Sequence, residues 1–271
     1  MKHNKILPPA HLRDYVQYYW TLESDETENG IKTFRTIADG SPGLIFQHSE
    51  NGGFSQFDKK LPSIFLYGQT TTCTEIRSPA AFKAIGVYFT PHVLKTLFGF
   101  RANELTDTCI DIEATAESRD FRLNEQLLNA PNTLEQVDII SAYLTAQVCK
   151  NEMQMDAPIS YALMQIIQTK GLISLKDLQH ELGMSERNFE RRFQHNIGLS
   201  PKLYCRISRF QASLSQLRNK KYDKLSDIAF EQEYSDQSHF IRAFKEFAGL
   251  LPNQYQKTWH ERVENFPELV S

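Results

Sequence analysis

The sequence predicts an α+β chain: a β-rich N-terminal barrel or sandwich domain with helices, then an all-α C-terminal domain of two helix-turn-helix modules joined by a long helix. Three observations predict it. β-branched and aromatic runs crowd residues 12–88, the apolar period lengthens to a helical one after Pro91, and a segment of the last hundred residues recurs at an offset of 51.

The strand runs are Tyr15 to Trp20, Lys32 to Ile37, Leu44 to Phe46, Ile64 to Tyr67 and Ala84 to Phe89. Gly40, Gly43, Gly52, Gly53, Gly68 and Pro79 punctuate them. Helical spacing starts at Val93, Leu94, Leu97 and Phe98. It continues through Leu123, Leu127 and Leu128, then through Leu134, Val137, Ile140, Ala142, Leu144 and Val148 to about Asn151. Asp156-Ala157-Pro158 reads as a helix start, because Asp accepts hydrogen bonds from free N–H groups and Pro fits the first turn. We therefore expect a sensor or oligomerisation domain over residues 1–152, a boundary between Met153 and Pro158, a helical domain over 157–257 and a tail over 258–271.

Within the helical domain, Phe189, Phe193, Gly198, Leu199, Pro201 and Tyr204 return 51 residues later as Phe240, Phe244, Gly249, Leu250, Pro252 and Tyr255. A short helix precedes each copy, Leu175 to Leu182 and Ser226 to Gln232, and a tight turn follows it. Gly183 supplies the positive φ such a turn needs, and Ser185, or Ser235/Asp236 in the second copy, can cap the next helix. Phe189 and Phe193 share a face at i, i+4 and should bury, which turns Arg187, Asn188, Glu190, Arg191 and Gln194 outward. In the second copy Phe240 and Phe244 bury, leaving Gln237, Ser238, His239, Ile241, Arg242 and Lys245 on or near the exposed face. Such polar groups can read base edges in a DNA groove. Between the copies, Leu203, Ile207, Phe210, Leu214 and Leu217 form one apolar stripe on a helix opened by Ser200-Pro201. That helix should hold two recognition helices at a fixed separation, suited to successive major grooves about 34 Å apart.

Composition agrees. At 271 residues the chain has length for two domains, and 41% hydrophobic with 23% charged residues excludes a disordered tail, a collagen and a coiled-coil rod. Apolar runs such as Ser63 to Tyr67 fall far short of the roughly 18 to 20 residues that cross a bilayer. Pro8 and Pro9 interrupt the segment after Lys2 and Lys5, so no secretory signal and no membrane partner is expected, and the chain should be cytoplasmic. Cys73, Cys109, Cys149 and Cys205 form no C-x-x-C pair and read as isolated buried thiols. Net charge is −3, yet residues 157–257 hold 15 Lys+Arg against 10 Asp+Glu while residues 1–156 hold 14 against 20. The positive excess lies where phosphate contacts would be made.

Leu178 to Tyr204 (LQHELGMSERNFERRFQHNIGLSPKLY) and Ile228 to Tyr255 (IAFEQEYSDQSHFIRAFKEFAGLLPNQY) resemble the two DNA-binding modules of the AraC/XylS family of bacterial transcription regulators. The resemblance places Arg187, Glu190 and Arg191 at base-contacting positions of the first recognition helix, and Gln237, Ser238, Ile241 and Arg242 at those of the second. More weakly, Asp39-Gly40 before Leu44-Ile45-Phe46, then GVYFTP at 86–91 and Glu104-Leu105-Thr106-Asp107, resemble an N-terminal domain of some members whose ligand is generally unassigned. Two departures stand out. Glu233 occupies the turn position usually held by Gly, so that turn either takes another geometry or its module reads DNA less stringently. The paired histidines of a cupin-type metal cluster are absent, His11, His48 and His92 being scattered, so neither metal nor other cofactor is expected.

These observations predict a sequence-specific regulator whose partners are double-stranded promoter DNA and, as further candidates, a small-molecule effector, RNA polymerase and a second copy of the chain. Helix N-termini and Lys245 would meet phosphates. The aromatics Tyr15, Tyr18, Tyr19 and Trp20 read as packing before pocket lining. No G-x-S-x-G, H-E-x-x-H or phosphate-cradling glycine loop is present, so no enzyme is expected. The rival reading is an enzyme or DNA-repair domain targeted by the helices, and a third is a ligand-independent regulator whose first half is a dimer scaffold. The pocket of the N-terminal domain discriminates between them.

Overall fold

The computed structural model describes residues 2–25, 30–151, 155–258 and 268–270. Its strands are β1 (Lys2–Ile6), β2 (Val16–Ser24), β3 (Lys32–Thr36), β4 (Gly43–His48), β5 (Ser55–Gln56), β6 (Lys59–Lys60), β7 (Ile64–Tyr67), β8 (Thr74–Ser78), β9 (Phe82–Phe89), β10 (Cys109–Asp111) and β11 (Glu268–Val270). The α-helices of the first half are α1 (Val93–Phe98), α2 (Ala116–Phe121), α3 (Leu123–Asn129) and α4 (Thr133–Lys150). Those of the second are α5 (Ala157–Gln168), α6 (Leu175–Glu181), α7 (Glu186–Ile197), α8 (Pro201–Arg218), α9 (Leu225–Glu231), α10 (Gln237–Ala248) and α11 (Pro252–Thr258).

Two antiparallel sheets build the N-terminal half, one ordered β1-β2-β9-β4-β7-β10 and the other β11-β3-β8-β5-β6. Alternation along each strand sorts side chains between two cores. Tyr18, Trp20, Ile45, Phe65, Ala84 and Tyr88 face the second sheet and meet Phe34, Phe54 and Ile76. Val16, Tyr19, Leu44, Phe46, Leu66, Ile85 and Val87 face the other way, onto residues of α1, α3 and α4. The first sheet is therefore the middle layer of three. Alternation alone sends the adjacent Tyr18 and Tyr19 to opposite cores, and a register shift between Val16 and Tyr18 lets Val16 share a core with Tyr19, three residues on. Tyr18 stacks on Tyr88 with centroids 4.9 Å apart, and the Tyr19 hydroxyl lies 2.8 Å from Ser141 Oγ on α4, so the aromatic run packs as expected.

The thiols are less uniform than expected. Cys205 is buried, Cys73 and Cys109 are half-buried, and Cys149 is exposed because it lies on the outer face of α4. Residue 152 at the end of the expected first domain, residues 153 and 154 of the expected boundary, and most of the expected tail lie outside the described residues. Asp156 caps α5 through Ile159 N, with Pro at the first turn, and Glu268–Val270 pairs antiparallel with β3.

The two halves meet along a continuous seam. Ile37 and Ala38 join the helical core, Ala38 N donates to Phe247 O (3.2 Å), and Gln211 Nε2 donates to Ala38 O (2.7 Å). Thr106 Oγ1 donates to Gly198 O (2.7 Å), and Lys95 Nζ donates to Asn196 Oδ1 (3.0 Å). Asn196 Nδ2 also approaches Asp156 Oδ2 (3.4 Å), which Arg192 grips by two bonds: Nε to Oδ2 at 3.0 Å and Nη2 to Oδ1 at 2.6 Å. One carboxylate thus caps α5 and ties it to α7, beside the α1 contact.

Candidate nucleic-acid interface

The duplication seen in the sequence is a duplication of packing. Phe189 and Phe193 lie 5.8 Å apart, and Phe193 meets the edge of Tyr204 at 5.8 Å. Fifty-one residues on, Phe240 and Phe244 are 5.8 Å apart and Phe244 meets Tyr255 at 5.5 Å. All four phenylalanines are fully buried. Each second helix ends at a left-handed glycine, Gly198 (φ 95°) and Gly249 (φ 73°). The i, i+4 phenylalanines fix which face of α7 and α10 turns inward, and so fix the opposite face by default.

On α7, Arg187, Glu190, Arg191 and Gln194 are exposed, and half-buried Asn188 accepts from Arg191 Nη2 (3.1 Å). On α10, Gln237, Ser238, Arg242 and Lys245 are exposed. Two expected members depart from this face. Half-buried Ile241 packs against the helical core, since a branched apolar side chain gains more from contact than from water. His239 stands edge-on to Tyr234 (5.3 Å) with Nδ1 3.2 Å from Ser235 Oγ, lining the groove between the modules. Around the end of α7, partial burial and the nearby cations Lys95, Arg101 and Arg191 hold the His195 imidazole below its usual range.

The turns answer the question raised by Glu233. In the first module Gly183 sits at φ 61°, with Gly183 N donating to His180 O and Met184 N to Gln179 O. In the second, Glu233 takes φ 51°, Glu233 N donates to Phe230 O and Tyr234 N to Ala229 O. The geometry is the same left-handed cap, so Glu233 bears backbone strain and the alternative geometry is excluded. One extra residue then intervenes: Ser185 is the cap residue of α7, Asp236 that of α10. Asp236 Oδ1 accepts from His239 N at 2.7 Å, and the His239 and Ser238 backbone N–H groups hold its carboxyl below the usual range. Ser185, expected to cap through its hydroxyl, makes no side-chain cap bond, which leaves the first N–H groups of α7 open.

Between the modules lies a groove of about 410 Å³ lined by Lys202, Arg206, Arg209, Tyr234 and His239 among others. The sequence reading does not single out these three cations, although their i, i+4, i+7 spacing on α8, flanking the apolar stripe, is a usable signal. The stripe itself packs as expected, with Ile207, Phe210, Leu214 and Leu217 buried. Arg209 Nη1 approaches Glu233 O (3.5 Å), Arg209 Nη2 approaches Gly171 O (3.4 Å), and its guanidinium lies over Tyr234. Arg206 pairs with Glu246 at 2.6 Å. No group of three or more His, Cys, Asp or Glu among the described residues is placed to hold a metal ion. No described helix is long and apolar enough to cross a membrane.

The fold and the paired heads define the class: a double helix-turn-helix protein. Residues 178–258 match a family described as a helix-turn-helix domain, residues 4–111 match a domain of unknown function (DUF6597), and the chain carries an AraC-type helix-turn-helix domain at its C-terminal end. An uncharacterized HTH-type transcriptional regulator of Haemophilus influenzae is 29% identical over 149 residues, 50% of each chain. The HTH-type transcriptional regulator MtrA of Neisseria gonorrhoeae is 32% identical over 74 residues, covering 27% of this chain and 24% of its own. The matched part thus spans half or less of these curated relatives' length. Among solved structures, ToxT from Vibrio cholerae covers 88% of this chain and 98% of its own at 12% identity and a TM-score of 0.49. ToxT bound to (E)-4-(8-methylnaphthalen-1-yl)but-3-enoic acid covers 95% and 99% at 10% identity and a TM-score of 0.47.

Proposed function

We propose that the chain is a sequence-specific DNA-binding transcription regulator acting in the cytoplasm. Residues 157–257 would engage promoter DNA, and residues 1–152 would sense a small molecule or mediate self-association. The observation that carries this reading is the repeated head: two helices packed by equivalent aromatic trios, each presenting arginine and neutral polar side chains outward, joined by one buried-stripe helix. Arg187, Arg191 and Arg242 suit bidentate contacts to guanine, Glu190 suits cytosine or orients Arg191, and Asn188, Gln194, Gln237 and Ser238 suit neutral base edges. Lys245 and the open N-terminus of α7 suit phosphates. His239 and Ile241 have smaller roles in this reading, because packing holds both. RNA polymerase and a second copy of the chain are the protein partners this reading supplies.

An enzyme is disfavoured by the chemistry of the cavity between the sheets, which is lined by Asp39, Asp107 and Cys109 among others. Both Asp107 oxygens are taken up by Thr71, through its N–H (2.7 Å) and its Oγ1 (2.6 Å). The other titratable groups on the wall, Tyr67 and Cys109, are both held above their ordinary ranges by burial, so they stay protonated and supply no base beside Asp39. Selection of binding sites from random duplexes tests the regulator reading. The expected result is a bipartite site with half-sites about one helical turn, 10 to 10.5 base pairs, apart. Retention without an enriched sequence would overturn it.

A further inference from the structure

The cavity between the two sheets has a volume of about 80 Å³, and its chemistry is one-sided. Two of its lining residues, Asp39 and Asp107, are acids, and none is Lys, Arg or His. Phe65 and Tyr67 supply ring surface and Ile45 and Ile76 aliphatic surface, while threonine, glutamine, isoleucine, leucine and a cysteine complete the wall. An anionic ligand would meet no counter-charge here and would add a third negative group. A carboxylate beside aromatic faces suits an organic cation, which gains from both the charge and the ring quadrupoles.

Asp39 is held for this role. Its Oδ1 accepts from Ser41 N (3.0 Å), its carboxyl accepts from the Tyr88 hydroxyl, and part of its surface stays open. Desolvation among Tyr67, Tyr88 and Tyr204 pushes the carboxyl up to about 7, so a cation placed against it would restore its charge. Its neighbours lead directly to the DNA-binding half. Ala38 is bonded to Gln211 on α8 and Phe247 on α10, and Gly40 packs against the ring of Tyr204, the residue that closes the first module's aromatic trio.

We propose that this cavity binds a small organic cation, a primary or methylated ammonium on a short apolar group, with Asp39 as counter-ion and residues 37–40 as the link to both helix-turn-helix modules. The inference rests on the regulator reading and deepens it by naming the ligand class. The size follows from the volume, which is about half the roughly 150 Å³ that houses a benzene ring in an engineered cavity of another protein.

The test uses the full chain and three ligands sharing one ethyl group: ethylammonium, ethanol and propionate. Binding is followed by calorimetry at neutral to mildly alkaline pH. The ammonium should bind at least about tenfold tighter than the alcohol, and the carboxylate weakest. Asp39→Asn should abolish the preference for the ammonium while still binding the alcohol as the parent chain does. If that variant does not fold, the ranking on the unaltered chain decides alone. Equal binding of ammonium and alcohol, tighter binding of the carboxylate, or no binding of any of the three overturns the inference. The ammonium should also shift affinity for the duplex selected from the random pool, and the duplex should shift ammonium affinity by the same factor. Unchanged duplex affinity on ammonium binding overturns the link through residues 37–40. A chain that selects no duplex sequence fails the regulator reading, whereas one that selects a duplex and ignores the ammonium fails only this inference.

Discussion

Gly183 and Glu233 occupy equivalent left-handed positions, at φ 61° and 51°, and their exchange isolates the energy of that backbone conformation. A Cβ on Gly183 would meet no atom within 4 Å, so Gly183→Ala adds no clash. An L-residue at this φ carries about 1–2 kcal/mol of strain, offset by about 0.4–1 kcal/mol because alanine loses less conformational entropy than glycine on folding. Gly183→Ala should therefore destabilise by roughly 1 kcal/mol. Glu233 is exposed, and its carboxylate takes part in no described hydrogen bond or ion pair. Its backbone alone is used, the N–H by Phe230 O and the carbonyl by Arg209, and glycine supplies both. Glu233→Gly should then stabilise by about 0.5–1 kcal/mol, and the double variant should fall close to the parent. Thermal and urea unfolding followed by far-UV circular dichroism read both values, and for a chain of this size 1 kcal/mol moves Tm by about 2–4 °C. Destabilisation by Glu233→Gly, or the same sign for both changes, would refute the argument that the turns are conformational equivalents. Because the turn already has the glycine-type geometry, the sequence preference of Glu233→Gly on random duplexes should equal the parent's.

Arg191→Ala should weaken binding to the selected duplex by about 1–3 kcal/mol and relax preference at one base pair, measured by titration against a panel of single-position variants. An unchanged profile would remove Arg191 from the base-reading set. Arg192→Ala should destabilise the fold by about 2–4 kcal/mol, since it leaves the α5-capping Asp156 carboxylate half-buried without its bidentate partner; denaturant titration measures it, and a neutral result would show the pair to be screened. Phe244→Ala opens the trio around Tyr255 and should cost about 3–5 kcal/mol in the same titration. The Asp39 carboxyl is raised to about 7 by burial, so between about pH 4 and that value the unfolded chain has released a proton that the folded chain retains. Its contribution must then make stability fall as pH rises through that window and level off above it. Denaturation midpoints from acid to neutral pH should show a shallower fall for Asp39→Asn than for the parent.

Much of the candidate interface was legible because α7 and α10 bury phenylalanines at i and i+4, and a helix has no freedom to present those faces otherwise. Arg187, Glu190, Arg191, Gln194, Gln237, Ser238, Arg242 and Lys245 follow from that period. His239 and Ile241 did not, because their places depend on Tyr234 and the helical core, contacts that periodicity does not encode. β1 escaped notice for a related reason: Lys2–Ile6 is mostly polar and joins the sheet at its edge by backbone pairing with β2. The second module's longer turn was masked because the helices before it repeat at one offset and those after it at another.

By itself, the order of residues determined two reading heads, their buried aromatic faces and the stiff helix between them, since each arises from spacing within a few turns of chain. Tertiary structure alone decided that Asp39 borders a cavity without cations, and that its neighbours are bonded to the connecting helix and the second head and pack on Tyr204 of the first. Those contacts join residues more than 150 positions apart, and no local pattern of hydrophobicity or charge specifies a partner at that distance.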